Sequence, residues 1–334
     1  MTISLIRRLR SSALFALRFS LAMLAAVCVS AQETNVAARL PASSSAQPTK
    51  APTLDVASFS DRLVAVGIRG LIFASKDQGV SWEQRPSPID VTLTSLVYVG
   101  PKRGFAVGHE ETILRTDDNG ATWNVAHTDA AGVPLLRIRF FNSEKGFALG
   151  GRGVIYSTEN GGDLWTRKVV TTDDGFDPHL FDIVALDAGR LMLAGEAGRL
   201  FRSSDDGDGW RELQSPYIGS FFGLVGLGPR TVLAYGMLGH VFLTRDGGDT
   251  WGQICAGTNL SLFGAAATSD RVYLAGADGA IVTMRRSDPG LCALEGVPDR
   301  VTISGLVPTS SGWVLASDRG LRRIATFATN LPNE

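Results

Sequence analysis

From Val66 onward the chain alternates between short apolar runs and breaks rich in Gly, Asp and Asn. The clearest stretches read VGIRGLIFASKDQGVSW (Val66 to Trp82), VGHEETILRTDDNGATW (ending at Trp123), LGGRGVIYSTENGGDLW (ending at Trp165), AGEAGRLFRSSDDGDGW (ending at Trp210) and YGMLGHVFLTRDGGDTW (ending at Trp251). Val, Ile, Leu, Phe and Thr dominate the runs, as suits strands. The breaks carry turn residues, and no long segment repeats at the helical period. A further apolar strand precedes each unit, for example at 93–99, 135–141, 180–186 and 303–309. Each unit therefore predicts four strands joined by a short loop, a glycine turn and a tight turn that ends in Trp.

The tryptophans recur at intervals of 41, 42, 45 and 41 residues. The first glycine of each unit stands at Gly67, Gly108, Gly150, Gly195, Gly236 and Gly276, and Ser317 takes its place in the last. Two worn copies follow the fifth unit: one from Ala275 has lost the Trp and the acid, and one from Ala316 keeps only its first half. Seven units of four antiparallel strands at this period predict an all-β fold, a seven-bladed β-propeller over residues 51–330. A lone blade leaves both faces wet, and a ring of blades buries them. The last unit stops after its third strand, near Ile324 to Phe327. The missing strand is expected from a segment near Asn35 to Leu40 or from the final residues.

The tight turn follows the Asp-box pattern Ser/Thr-x-Asp-x-Gly-x-Thr/Ser-Trp. It fits at Ser75–Trp82, Thr116–Trp123 and Thr244–Trp251, nearly at Ser203–Trp210 with Gly209 for Thr, and loosely at Ser157–Trp165 with Glu159 for the acid. The carboxylates of Asp77, Asp118, Asp205 and Asp246 are expected to accept backbone N–H groups within the turn. The glycine supplies a positive φ. Trp82, Trp123, Trp165, Trp210 and Trp251 are expected to fold their apolar faces back onto the blade with their N–H at the wet rim. Such turns lie on the outer edge, so these residues read as structural and none as catalytic. Asp205 to Gly209 looks like a calcium loop but lacks the downstream bidentate Glu, and neither a metal nor a cofactor is expected.

The first residues change the balance of charge. Arg7, Arg8 and Arg10 precede an apolar run from Leu21 to Val29 and a small-residue site ending at Ala31, the pattern of a secretory signal over residues 1–31. Residues 32–50 are rich in Ala, Ser, Pro and Gln and read as a flexible leader. Residues 1–31 hold four Arg and no acid, so the remainder carries 28 basic and 33 acidic side chains. That excess of acid argues against a nucleic-acid partner. The mature chain is expected in the periplasm or an equivalent lumen, with no membrane span of its own. Export permits a disulfide between Cys255 and Cys292, but outer strands of adjacent blades splay apart, so paired and free thiols stand equally open.

The element GFAVG from Gly104 to Gly108, followed by the box ending at Trp123, and its counterpart from Gly146 to Gly150 with Trp165, resemble the BNR/Asp-box propellers of the photosystem II stability and assembly factor family. The resemblance spans about residues 52–326. It implies a non-enzymatic factor that binds newly made membrane-protein subunits, with a membrane-protein complex or transporter as partner. The competing reading is a glycoside hydrolase or glycan-binding Asp-box propeller, which needs two opposed carboxylates on the channel. Aligning the inner strands makes Asp55, Ser95, Arg137, Asp182, Gly223, Gly264 and Gly305 equivalent, and the three glycines are expected to leave open space on one side. Arg137, with Arg139 two residues on, is expected to face Asp182 of the next blade. Arg137, Arg139, Asp182 and Asp55 are thus the candidate partner-binding residues, with an inter-blade ion pair as the structural alternative. The insertion Asp173–Asp177 reads as an acidic surface loop.

Overall fold

The computed structural model describes residue 42 and residues 50–187, 189–255 and 257–329. The expected signal segment, nearly all of the leader and the segment near Asn35 to Leu40 lie outside these residues. Among the described residues, seven antiparallel sheets follow one another along the chain: five have four strands, the sixth has five and the seventh has three. The inner strands are Thr53–Phe59, Leu93–Tyr98, Leu135–Phe140, Leu180–Ala185, Phe221–Gly226, Leu262–Ala267 and Ile303–Thr309. Each blade's second strand is buried almost along its length, and a hydrophobic cluster fills every seam between neighbours.

Every inner strand skips one residue in its ladder, a β-bulge that sharpens the twist. Immediately after it, Asp55 lies opposite Val66, Ser95 opposite Val107, Arg137 opposite Leu149, Asp182 opposite Ala194, Gly223 opposite Tyr235, Gly264 opposite Ala275 and Gly305 opposite Ala316. The seven positions aligned by sequence are therefore one layer of the ring. Another bond also repeats seven times. The N–H of Ile68, His109, Gly151, Glu196, Met237, Ala277 or Asp318 donates to the carbonyl of Pro52, Thr92, Pro134, His179, Ser220, Ser261 or Thr302, respectively. It ties the turn after each second strand to the loop entering that inner strand, and both lie on one face of the ring, here the upper face. The Asp-box turns lie on the lower face.

Each box is the same small network. Thr116 Oγ1 donates to Asp118 and accepts from the N–H of Gly120 at 2.9 Å, while Asp118 accepts the Thr122 N–H at 2.8 Å and its hydroxyl at 2.6 Å. Blades one and five repeat it, and blade four repeats all but the hydroxyl bond, since Gly209 stands where the others have Ser or Thr. Blade three corrects the expected register. The box begins at Thr158 instead of Ser157, and Asn160 instead of Glu159 accepts the N–H of Leu164 at 2.9 Å. An amide oxygen serves as well as a carboxylate oxygen here, so the spacing of eight to Trp165 is kept. The indoles depart from expectation too. Those of Trp123, Trp165, Trp210 and Trp251 bury their N–H without a protein partner instead of holding it at the rim. Each is driven into the seam with the preceding blade, as Trp123 is against Phe59 and Trp165 against Phe105.

The ring closes by packing. Val307 and Val314 of blade seven join the cluster of Val56 and Ala65 in blade one, and Ser304 Oγ donates to the Thr53 carbonyl at 3.1 Å. Among the described residues, the last strand does not join blade seven. Phe327 sinks into the seam of blades six and seven against Trp313 and Tyr273. Ala328 and Thr329 then pair with Gly296 and Glu295, adding a fifth strand to blade six. The outer strands of blades five and six are also joined, because Cys255 and Cys292 form a disulfide with Cα atoms 5.6 Å apart. Blade six's outer strand, Asp288–Gly296, is nine residues long and brings Cys292 beside blade five before the blades diverge.

Candidate partner-binding channel

The aligned layer gathers two carboxylates and the Arg137 guanidinium around the axis, with Arg139 two residues further along the same strand. Asp55 and Asp182 do the same work three blades apart. Each caps the next residue's N–H and reaches to the neighbouring inner strand: Asp55 accepts from Val56, Ser95 and Leu96, and Asp182 from Ile183 and Leu224. The difference is the countercharge. Asp182 is fully buried and takes a bidentate pair from Arg139, at 2.9 and 3.0 Å. Arg137, expected to face Asp182, stands back at 3.8 Å and donates weakly to the Phe181 carbonyl at 3.4 Å. Two residues further along the strand, Arg139 meets the carboxylate side-on, through Nε and Nη2.

Burial alone would raise the Asp182 carboxyl, but the charges of Arg139 and Arg137 and the Leu224 N–H hold it below the ordinary carboxylate range. The Arg139 guanidinium is raised in turn, chiefly by Asp182. Asp55 goes the other way. Burial outweighs the charge of Arg137 and the three donors, and its carboxyl is raised.

The glycines are open on one side only: Gly264 and Gly305 line free volume in the channel, yet each of the three has a close neighbour where a side chain would stand. A Cβ on Gly223 would lie 2.1 Å from the Tyr235 hydroxyl, one on Gly264 2.7 Å from the Ser304 carbonyl oxygen, and one on Gly305 2.9 Å from an Asp55 oxygen. Gly264 and Gly305 let the inner strands of blades six, seven and one close up, and Gly223 makes room for the Tyr235 ring of its own blade. A cavity of about 280 Å³ remains in the channel, lined by Asp55, Ser95, Arg137 and Arg139 on the charged side and by Gly264 and Gly305 on the other.

A second buried polar cluster has no counterpart in the sequence reading. Glu111, 2% exposed, accepts from the Tyr156 hydroxyl, from Arg167 at 3.2 Å through both oxygens, and from the Val133 N–H. His127 stands 2.9 Å from the same hydroxyl. Burial lowers the His127 ring and raises the Tyr156 phenol. Burial would raise the Glu111 carboxyl too, but Arg167 and Tyr156 hold it low. One signal was in plain view. At this turn the other six blades carry Gly70, Gly153, Gly198, Gly239, Gly279 and Gly320, all at positive φ, and Glu111 alone adopts φ 45° with a side chain. Such strain persists only where surroundings impose it, and here the network clamps blade two to blade three.

The family model for the Photosynthesis system II assembly factor YCF48 matches residues 128–294, half of the chain. The chain belongs to the YCF48 family. It is 26% identical over 168 residues to the photosystem II assembly lipoprotein Ycf48 of Synechococcus sp. (strain CC9902), covering 47% of this chain and 48% of that protein. To the protein of the same name from Parasynechococcus marenigrum (strain WH8102) it is 37% identical over 145 residues, covering 43% and 41%. The chain thus spans about half the length of the curated relatives it matches. Among solved structures, YCF48 from Cyanidioschyzon merolae superposes with a TM-score of 0.63 at 15% identity, over 85% of this chain and 98% of that one. YCF48 bound to D1 peptide superposes with a TM-score of 0.62 at 17% identity, over 82% and 93%. At these identities the structural likeness speaks for the ring alone.

Proposed function

We propose that this protein is an exported, non-enzymatic binding factor that assists the assembly or stability of a membrane-protein complex, and that it holds a segment of its client at the lower mouth of the channel. The observation that carries the reading is membership of the YCF48 family, one member of which is described as bound to D1 peptide. Nothing ties this chain's client to a photosystem; a transporter or another membrane complex fits equally. The Cys255–Cys292 disulfide suits an oxidising compartment. The relatives' designation as lipoproteins also points to export, so the periplasm or an equivalent lumen is the proposed location.

Within the channel, Arg137 is the residue with donors to spare. Its side chain is 16% exposed, it lines the cavity, and no acid holds it within 3.5 Å. A carboxylate or backbone carbonyl of the client is the natural acceptor. Arg139, Asp182 and Asp55 position it. The glycosidase reading is not favoured, because Asp55 and Asp182 are both engaged by backbone N–H groups and bridge neighbouring strands.

The test is affinity capture of the tagged, exported protein from detergent-solubilised membranes, beside Arg137→Ala. The wild type is expected to retain a membrane protein and the variant to lose it while staying folded, with a smaller loss of thermal stability than Arg139→Ala because its charge beside Asp182 is the more distant one. Arg139→Ala is the contrast. It strands the buried Asp182 charge and is expected to lower stability by about 3–5 kcal/mol. Recovery of no membrane protein by the wild type would sink the reading.

A further inference from the structure

The upper face carries an apolar surface that the channel does not use. Ile218 is 90% exposed, Leu238 54%, Phe176 39% and Met237 38%. They come from different loops, yet contacts link them. Ile218 lies over the Gly198 turn of blade four, where a glycine Cβ would stand 3.2 Å from its Cα. Met237 donates its N–H to the Ser220 carbonyl, two residues on from Ile218, and Leu238 donates to Ser261. Phe176 packs with Arg199, the residue after Gly198. Inward, the surface continues into half-buried Phe222, whose ring meets Phe181 and Phe263 at 5.3 Å on either side. These three are the skipped bulge residues of adjacent inner strands, so they form an aromatic arc around the upper mouth.

Grouped apolar exposure of this kind marks an interaction site, and its border identifies the partner. The insertion that lengthens the third repeat interval, Asp173–Asp177, forms its edge. Thr172 holds the loop through its hydroxyl, which accepts the Phe176 N–H at 2.8 Å. Arg199 beneath is already held by Asp174 and Glu212. Asp173 and Asp177 are exposed and face no cation among the described residues.

We propose that this face docks an apolar segment flanked by basic residues, contributed by an extracytoplasmic loop of the membrane-protein client. The proposal rests on the binding-factor reading above and adds a second contact on the opposite face from Arg137. Apolar side chains of the segment cover Ile218, Leu238 and the aromatic arc, and a flanking Lys or Arg meets Asp173 and Asp177.

Two synthetic peptides with the same Leu-Ile-Phe-Leu core, one flanked by Lys pairs and the other by Glu pairs, test it by fluorescence anisotropy. Phosphatidylcholine vesicles serve as a third probe. The Lys-flanked peptide is expected to bind the wild type, and Ile218→Asp/Leu238→Asp to weaken it at least about tenfold. Asp173→Lys/Asp177→Lys is expected to shift preference to the Glu-flanked peptide. Every site altered is exposed, so unchanged thermal midpoints show that the ring is intact. Equal binding by wild type and Ile218→Asp/Leu238→Asp overturns the proposal, as does equal affinity for both peptides. Capture by vesicles and by neither peptide overturns it in favour of a lipid-facing surface. Membrane capture separates the two ideas: a client retained undiminished by Ile218→Asp/Leu238→Asp refutes this docking face and leaves the binding-factor reading standing.

Discussion

Blades one to five and blades six and seven face the same problem, an outer rim that must not splay, and meet it with different chemistry. In the first group each blade ends its third strand in a box whose Trp fills the seam behind it. Charged pairs then stitch the strands of one blade to the box of the next, such as Lys168 with Asp208 and Arg202 with Asp249. Lys145, a loop cation that sequence alone would leave to solvent, is 12% exposed between Glu159 and Asp206. The second group has no box. Its outer edge is secured by the Cys255–Cys292 bond, by a nine-residue outer strand and by the tail strand that Phe327 anchors. Many small local contacts and a few long-range ones thus produce seams of the same kind. The difference predicts that a single change hurts the second group far more than the first.

The largest effect is expected at Phe327. The ring is 5% exposed and belongs to the cluster of Ile281, Val301, Leu315 and Trp313. Phe327→Ala is expected to cost about 3–5 kcal/mol in chemical denaturation, the usual range for a buried Phe. A cost typical of a frayed terminus, below about 0.5 kcal/mol, would show that the tail strand is no staple. Next comes the disulfide, which closes a separation of 37 residues. Cys255→Ser/Cys292→Ser is expected to lower stability by about 2–4 kcal/mol. Mild reduction should give the same shift in the wild type and none in the variant. A reductant-insensitive wild type would move the rim's stability elsewhere.

The repeat made the ring legible because the period, the glycine turn and the Trp recur whatever fills the positions between them. The aligned layer was legible for the same reason: a bulge in every inner strand keeps Asp55, Arg137 and Asp182 in one register. What escaped was pairing between blades. Whether Arg137 or Arg139 meets Asp182 depends on reach along a twisted strand, which spacing does not encode. The glycines were legible only in part, because a missing side chain can mean a void or a close neighbour, and Gly264 and Gly305 have one on each side. The tail strand escaped because Ala328 and Thr329 carry no pattern, and one Phe determines their course. Glu111 was the nearest miss, a side chain standing where six blades keep glycine.

The smallest effect separates the two groups by pH. Hydrogen bonds to Ser81 and Ser75 hold the Asp77 carboxyl at about 2, and Asp246 is lowered chiefly by bonds to Thr250. Asp118 and Asp205 are lowered as well; bonds to Thr122 outweigh burial at Asp118, and the Gly209 N–H leads at Asp205. An unfolded Asp titrates near about 3.9. A carboxyl depressed in the folded state adds stability that is present above that value and is lost as pH falls through the folded one. The boxes should therefore weaken between about pH 4 and pH 2, while blades six and seven have no box to lose and carry in Asp278, held low by Arg300, a lowered carboxyl of another kind. Asn160 shows how to isolate this contribution, since blade three already runs the box on an uncharged amide. Asp118→Asn/Asp246→Asn should cost about 1 kcal/mol at pH 7 for each hydroxyl bond weakened, those from Thr122 and Thr250. It should also flatten the fall of the thermal midpoint between pH 5 and pH 2. If the two profiles superimpose, the acid sensitivity lies in the buried Asp182–Arg139 pair, and the boxes hold the rim by geometry alone.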